Sequence, residues 1–252
     1  MFLYSPLEQF QILPLIPVRI GHLDISFTNG NLIILIALGS FMLLMNMLLS
    51  SKGSFYMSPS RWQIVIETFY ETIANMLYDN LGTRGQQYFP FVFIIFMFVL
   101  LSNLIGLVPY SFTITSHLIV TFALAFMIFV GVNIICAKEH GLHMISLFLP
   151  PGTSLGLALL LVPIEFVSYM FKPISLGVRL FANMMAGHTL LKVIVGFAYS
   201  MMSAGGLLLI AHALPIFVLI LLVGLELGVA MIQAYVFTIL TCIYLNDAVN
   251  LH

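Results

Sequence analysis

Long apolar runs dominate this chain, and short groups of polar and charged residues separate them. A helix needs about 20 apolar residues to cross a bilayer, so the intervals between formal charges indicate where such helices can lie. The first interval, from Asp24 to Lys52, has room for one helix. We therefore expect an N-terminal segment at 1–24 and a transmembrane helix at 25–51.

The next long interval predicts two further membrane crossings. Between Arg84 and Lys138 there are 53 residues without a formal charge, which is long enough for two helices. The stretch "PYSFTITSH" at 109–117 carries turn residues near the middle of this interval. We expect a transmembrane hairpin at 88–137.

The stretch between these regions, 58–81, has an amphipathic pattern. One face carries apolar residues at helical spacing and another carries polar or acidic residues every four positions. The apolar set is Trp62, Ile66, Phe69, Ile73 and Leu77, and the polar set is Glu67, Glu71, Asn75 and Asp79. Ser58 can cap the start of this helix and Gly82 its end. We predict a helix in the membrane interface, with a soluble packing helix as the alternative.

The second half of the chain, at 141–252, is apolar with isolated charges. A break at Ala198–Gly206 divides it into two helices of about 45 residues, each longer than ~60 Å and so about twice the hydrocarbon thickness. Such helices must tilt strongly, project or bend. The candidate bend sites are Pro150, Pro151, Pro163, Pro173 and Pro215.

Composition agrees with an all-α integral membrane protein with a single membrane domain. Hydrophobic residues make up 62% of the chain and charged residues only 7%, against about 25% charged in soluble domains. A net charge of −1 provides no basic field for nucleic acid, so we expect no nucleic-acid partner. Cys136 and Cys242 lie in apolar runs without metal-site spacing and are expected to be small buried residues.

The basic residues predict the orientation. Four of them fall on one side of the predicted spans, namely Lys52, Arg61, Arg84 and Lys138, whereas the loops at 110–117 and 199–206 carry none. By the positive-inside rule that side is the cytoplasm or matrix. The C-terminus is expected there, and the N-terminus in the opposite compartment.

Charged side chains inside apolar helices are costly and therefore suggest function. Lys172 and Lys192 are expected to extend along the helix toward the membrane surface. Arg179 is different, because apolar or small residues surround it and the nearest acid along the chain, Glu165, is fourteen positions away. The sequence therefore assigns Arg179 a functional role.

Helical geometry distributes the other polar residues. Asn183 and Glu165 share the face of Arg179, whereas His188 points to nearly the opposite face. Glu226 and Gln233, seven apart, share a face of the last helix, and Asp247 follows near its end. In an antiparallel helix pair, Glu165 and Asp247 lie toward the matrix or cytoplasm. His188 and Glu226 lie toward the other side, with Arg179 between the two groups.

This arrangement suits proton transfer. Histidine and desolvated glutamate exchange protons near neutral pH, whereas arginine keeps its proton and can only attract carboxylates and repel protons. The sequence thus predicts two acid-lined half-paths separated by a fixed positive charge. No carboxylate on this chain is an obvious ion-pair partner of Arg179, which implies that a partner subunit supplies one.

Two motifs, "SLGVRLFANMMAGH" and "LELGVAMIQAYVFTILTCIYLNDAVNLH", resemble the a subunits of F-type ATP synthases in their mitochondrial form. The resemblance extends to "SPLEQFQI" and "SNLIGLVPYSFTITSH" and covers nearly the whole chain. It implies one span, a surface helix, a vertical hairpin and a long tilted hairpin packed against a rotating ring of c subunits. The subunit would be a non-catalytic proton channel, because ATP is formed in the F1 sector.

The resemblance also implies roles for individual residues. Arg179 would meet the acidic side chain of each c subunit in turn. The entrance half-channel would contain His188, Glu226, Asn183 and Gln233, and the exit half-channel Glu165 and Asp247. Many bacterial relatives exchange the acid and the histidine of the first pair, which suggests that the two side chains approach each other. Some relatives add a metal-binding histidine where this chain has Lys192, so we expect no metal and no cofactor.

The resemblance further implies partners and a location. They are the c-ring, the other Fo stator and peripheral-stalk subunits, the lipid bilayer and, if the complex dimerises, a second ATP synthase. The location would be the mitochondrial inner membrane, with the N-terminus toward the intermembrane space. Two alternatives stay open. A stand-alone proton-coupled transporter would need its own substrate cavity, and a structural membrane subunit would have no use for Arg179 and Glu226.

Overall fold

The structure, a computed structural model, describes residues 6–21, 23–49, 61–108, 111–141, 155–204 and 212–249. These residues are mostly helical. Five helical stretches are long and apolar enough to cross a membrane, and they lie at Asn29–Asn46, Gln63–Gly106, Leu118–His140, Leu160–Ser203 and Ala213–Val249. This agrees with an all-α, multi-pass membrane protein.

The N-terminal segment contains short extended pieces, which the apolar pattern did not predict. After a 3-10 helix at Pro6–Phe10 come β1 (Pro14–Ile16), β2 (Arg19–Ile20), β3 (Leu23–Asp24) and β4 (Phe27–Thr28). β1 pairs antiparallel with β4, and β2 pairs antiparallel with β3. The β2–β3 pair lies between β1 and β4 in sequence, so the segment is one interrupted hairpin that leads into the first helix.

Four helices of about 20 residues follow. They are α1 (Asn29–Leu49), α2 (Arg61–Leu81), α3 (Phe89–Gly106) and α4 (Leu118–His140), with a 3-10 helix at Gly82–Tyr88 between α2 and α3. α2 ends where expected, because Gly82 adopts a φ of 62° that favours glycine after a helix. Gly141, with a φ of 55°, ends α4 in the same way.

The predicted faces of α2 are confirmed. The side chains of Ile66, Ile73 and Leu77 are buried, while the acidic and amide residues on the other face are exposed. The predicted cap Ser58 lies outside the described residues, and Trp62 has no described side chain. α2, the 3-10 helix and α3 follow one another without interruption.

The second half forms two long helices, α5 (Leu155–Ala204, 50 residues) and α6 (Ala213–Val249, 37 residues). The expected break at Ala198–Gly206 begins too early, because α5 continues to Ala204. Residues 198–204 contain neither glycine nor proline, and helices accommodate each of them. Nothing in this stretch therefore requires the helix to end. Gly205 and Gly206 lie outside the described residues, as do Pro150 and Pro151.

Two of the candidate bend sites, Pro163 and Pro173, lie inside α5. Each removes one backbone hydrogen bond from the helix. Pro215 lies in the first turn of α6. Backbone N–H groups in the first turn have no intrahelical acceptor, so the missing N–H of a proline breaks no hydrogen bond there. Pro215 therefore costs α6 no intrahelical hydrogen bond.

The chain divides into two compact units. The first consists of Met1–Leu44, Phe98–His117 and Leu180–Ala234, and the second of Met45–Met97, Leu118–Arg179 and Tyr235–His252. α3, α5 and α6 each contribute to both units. On α5 the division falls directly after Arg179.

Each unit has its own buried side chains. In the first unit these include Val99, Asn103, Leu180, Met184, Ala230 and Ala234, and in the second Ile73, Val92, Ile128, Leu176, Phe237 and Leu245. Outside these cores, large apolar side chains are exposed along α1, α4, α5 and α6. Such extensive apolar exposure is expected of a surface that faces lipid or other subunits.

Candidate functional site

The first unit brings His188 of α5 and Glu226 of α6 together. Nε2 of His188 lies 3.8 Å from Oε1 of Glu226, and only 15% and 8% of the two side chains are exposed. This distance is too long for a direct hydrogen bond, but both atoms can bind one shared water. The predicted approach of the two side chains is therefore confirmed.

Gly187 provides the space for this pair. A Cβ atom added at Gly187 would lie 2.5 Å from Oε1 of Glu226, a separation that real Cβ atoms do not show. The carboxylate thus lies against the backbone of α5. Beside it is a cavity of about 180 Å³ whose lining includes Asn183, Gly187 and Glu226 together with apolar side chains of both helices.

Other buried polar groups belong to the same unit. Gln233 is 7% exposed, and its Nε2 has no hydrogen-bond partner among the described residues. The same holds for three atoms that the sequence did not predict, namely Oγ of Ser102, Oδ1 of Asn103 and Oγ1 of Thr115. Buried polar atoms normally have a partner, and ordered water is the usual one when the protein offers none.

Asn103 connects α3 to α6. Its Nδ2 donates a hydrogen bond of 3.4 Å to the carbonyl oxygen of Ala230. The signal that could have found it is an amide side chain in the last turn of an otherwise apolar helix that carries no formal charge. From the N-terminal segment, Phe10 packs edge-on against His188, with ring centroids 6.5 Å apart.

Arg179 has a different environment. Its side chain is exposed on α5, and no acidic side chain of the described residues forms an ion pair with it. Tyr244 of α6 is close enough to interact with it electrostatically. Around Arg179 the exposed face of α5 carries Ser175, Val178, Ala182 and Ala186, which are apolar or small.

The second unit contains the two remaining predicted residues. Glu165 is half-buried on α5, and among the described residues it has no ion-pair partner. Asp247 of α6 forms an ion pair with Lys172 of α5, with Nζ 3.0 Å from Oδ2. The sequence predicted that Lys172 extends along the helix toward the membrane surface, and it carried no signal for this partner, which lies 75 residues away.

None of these groups forms a metal site in the part of the chain that the structure describes. No three His, Cys, Asp or Glu side chains there come together in a way that could hold an ion. The absence of a metal stays a prediction.

The fold and these sites define a class of protein. It is a multi-pass helical membrane protein whose long helices carry a buried histidine–glutamate pair, a lysine–aspartate pair and an exposed arginine. Ionisable groups inside apolar helices are costly, so the described ones are candidates for a functional role.

Comparison with known proteins identifies the family. The ATP synthase A chain family model matches residues 31–246. The chain is 59% identical to the ATP synthase subunit a of Pylaiella littoralis over 249 residues, which cover 98% of this chain and 99% of the relative. It is 51% identical to that of Chondrus crispus, covering 98% of this chain and 97% of the relative. A bacterial relative from Paramagnetospirillum magneticum is 47% identical, covering 98% and 99%.

This chain belongs to the ATP synthase A chain family. The resemblance read from the two helical motifs is therefore confirmed. Membership assigns the chain to the membrane-embedded, proton-transporting Fo part of an F-type ATP synthase.

Proposed function

We propose that this chain is the stationary subunit that couples proton flow to rotation of the c-ring, through two offset half-channels separated by Arg179. The observation that carries the proposal is the exposed guanidinium of Arg179 on an apolar face of α5, without an acidic partner among the described residues. A permanent charge in such a position needs a carboxylate from another subunit. The flanking Ser175, Ala182 and Ala186 are small, so a partner helix can approach closely.

The entrance half-channel is formed by His188, Glu226, Asn183 and Gln233. His188 and Glu226 are 3.8 Å apart, and Asn183 lines a cavity with Glu226. Water bound to the buried polar atoms of this unit can carry a proton to the pair. The c-ring carboxylate takes up the proton beside Arg179, which itself releases none.

The exit half-channel is formed by Glu165 and Asp247. Both lie in the second unit, on the N-terminal side of Arg179 along α5 and near the C-terminal end of α6. After nearly a full rotation, the c-ring carboxylate returns to Arg179, which favours its ionised form. The released proton then leaves past these two acids.

The arrangement in the membrane follows from the same function. α1 crosses once, α2 lies in the interface with its acidic face in water, α3 and α4 form a hairpin, and α5 and α6 lie tilted against the c-ring. The N-terminus faces the intermembrane space and the C-terminus the matrix of the mitochondrial inner membrane. The subunit is non-catalytic and contacts other Fo stator and peripheral-stalk subunits and, where the complex dimerises, a second ATP synthase.

An Arg179→Ala variant in the assembled ATP synthase tests the proposal. We expect loss of coupled ATP synthesis driven by an imposed proton gradient, because nothing then blocks direct proton passage or attracts the ring carboxylate. Lys192→Ala is the matched control, since it removes another cation from α5, and it should keep near-normal synthesis. Normal synthesis in Arg179→Ala complexes would favour a purely structural subunit, and proton-coupled solute uptake by the isolated chain would favour a transporter.

A further inference from the structure

Lys172 is held by three side chains. Its Nζ lies 3.0 Å from Oδ2 of Asp247. The same ammonium group lies 5.3 Å from the ring centroid of Tyr169 and 5.1 Å from that of Tyr244. Both distances are within the range of a cation–π interaction. Lys172 therefore sits between two aromatic rings while it contacts the carboxylate.

The rings are themselves held in place. The hydroxyl of Tyr169 donates a 2.7 Å hydrogen bond to Oδ1 of Asn133 on α4. The ring of Phe129, also on α4, packs against Tyr169 with centroids 5.0 Å apart. The ammonium group is thus fixed by α5 and α6 directly and by α4 through Tyr169. These contacts together define the geometry of the pair between Lys172 and Asp247.

Lys172 also occupies a definite place along α5. It follows Glu165 by seven residues and precedes Arg179 by seven. Seven residues are nearly two helical turns, within about 20° of the same direction. Lys172 therefore lies on the same face of α5 as the proposed exit acid Glu165 and the proposed barrier Arg179; we call this face the Glu165–Arg179 stripe. Through its ion pair with Lys172, Asp247 of α6 lies beside this stripe.

We propose that Lys172 is a positioning residue for proton release, which holds the Asp247 carboxylate beside the Glu165–Arg179 stripe of α5. The proposal rests on the proposed exit role of Asp247. Side-chain exposures of 28% for Lys172 and 38% for Asp247 leave both groups open to water or to a partner. Pairs as exposed as this contribute little to stability. Their fixed geometry is therefore better explained by a need to orient the carboxylate.

The test compares Lys172→Met with Lys172→Arg in the assembled ATP synthase. Methionine keeps the apolar stem without the charge, and arginine keeps a cation that can pair with Asp247. We expect ATP synthesis per assembled complex to fall roughly tenfold in Lys172→Met, within the ~100-fold that a misplacement of about 1 Å can cause. Lys172→Arg should restore most of it. Equal rates in the native and Lys172→Met complexes would overturn the proposal.

A double variant separates positioning from structural support. In Lys172→Met/Asp247→Leu the pair is replaced by two apolar side chains, which removes any uncompensated charge. If the pair only supports the fold, this double variant should synthesise ATP faster than Lys172→Met alone and close to the native rate. We expect it to stay as slow as Asp247→Leu alone, because the carboxylate itself is missing.

If Lys172→Met prevents assembly, variants of Tyr244, whose ring contacts the ammonium group of Lys172, test the proposal instead. Tyr244→Leu removes the ring beside the ammonium, whereas Tyr244→Phe keeps it and serves as the control. Tyr244→Leu should be severalfold slower than Tyr244→Phe per assembled complex, and equal rates would overturn the proposal. The Arg179→Ala variant is measured in the same assay. If it remains coupled, the proposed function fails; if it is inactive while the Lys172 and Tyr244 variants are normal, only the positioning role fails.

Discussion

The Glu226 carboxylate occupies the space that a side chain at Gly187 would fill. A Cβ atom at Gly187 would come within 2.5 Å of Oε1 and 3.0 Å of Cδ of Glu226. The neighbouring residue, His188, reaches the same carboxylate at 3.8 Å. One glycine therefore allows α5 and α6 to approach closely enough for the histidine–glutamate pair to form.

A Gly187→Ala substitution should displace the Glu226 carboxylate and slow proton entrance. We expect a fall in ATP synthesis of about tenfold per assembled complex, because the acid is moved by an ångström or more. Gly196→Ala is the control, since a Cβ there meets nothing within 4 Å on the same helix. Equal rates for the two variants would show that the close approach at Gly187 is not needed.

Exchanging His188 and Glu226 in a double variant, His188→Glu/Glu226→His, should lower the rate of proton pumping less than either single substitution does. His188→Glu alone places two acids together, and Glu226→His alone places two histidines together, so like charges oppose each other in at least one protonation state. The double variant restores one acid and one base at the two positions whose native side chains lie 3.8 Å apart. ATP-driven proton pumping checks this, and a double variant worse than both single variants would argue against direct cooperation.

Neutralisation of the proposed exit acids should slow proton release and leave assembly intact. Glu165→Gln and Asp247→Asn keep the size of each side chain while they remove its charge. Rates of ATP synthesis should fall while the amount of complex, measured by native gel electrophoresis, stays the same. Loss of the complex itself would make these acids structural, and for Asp247→Asn this would point to the Lys172 pair as the support.

The crossing of α4 and α5 gives a stability prediction. A Cβ at Gly177 would lie 3.0 Å from Cα of Phe122 and 3.1 Å from the carbonyl oxygen of Thr121. Because these are backbone atoms, they cannot move aside without a helix shift, and Gly177→Ala should destabilise the fold by about 1–3 kcal/mol. Gly131→Ala on α4 is the control, with nothing within 4 Å. The thermal release of this chain from the purified complex measures the difference.

Periodicity and charge spacing predicted several elements because these signals are local. The interval without charges after Arg84 indicated α3 and α4, and the four-residue repeat of acidic and amide residues indicated the exposed face of α2. The end of α5 was misplaced, because a run such as "AYSMMSA" has no residue that must end a helix. The extended pieces of the N-terminal segment were missed, since two- and three-residue strands carry too few positions for an alternating pattern.

The candidate site residues were predicted from the free-energy cost of placing a charge inside an apolar helix. Arg179, His188 and Glu226 are ionisable residues within apolar helices. Such residues are rare, so their positions in the sequence are enough to recognise them. Ser102 and Asn103 did not meet this criterion because they carry no charge, and Thr115 did not because it lies in the short 3-10 turn Ile114–Ser116 between α3 and α4. Their burial without described partners became visible only in three dimensions.

The sequence by itself determined that this is a membrane protein, which charges lie inside its helices and which of them share a helix face, because these depend on residue type and on the fixed helical repeat. Apart from the approach of His188 and Glu226, which the family resemblance implied, only the tertiary structure decided which charges meet across helices. The partner of Lys172 is 75 residues away on α6, and the fit of Glu226 depends on the missing side chain at Gly187. Such pairings depend on how two helices pack, which no local pattern encodes.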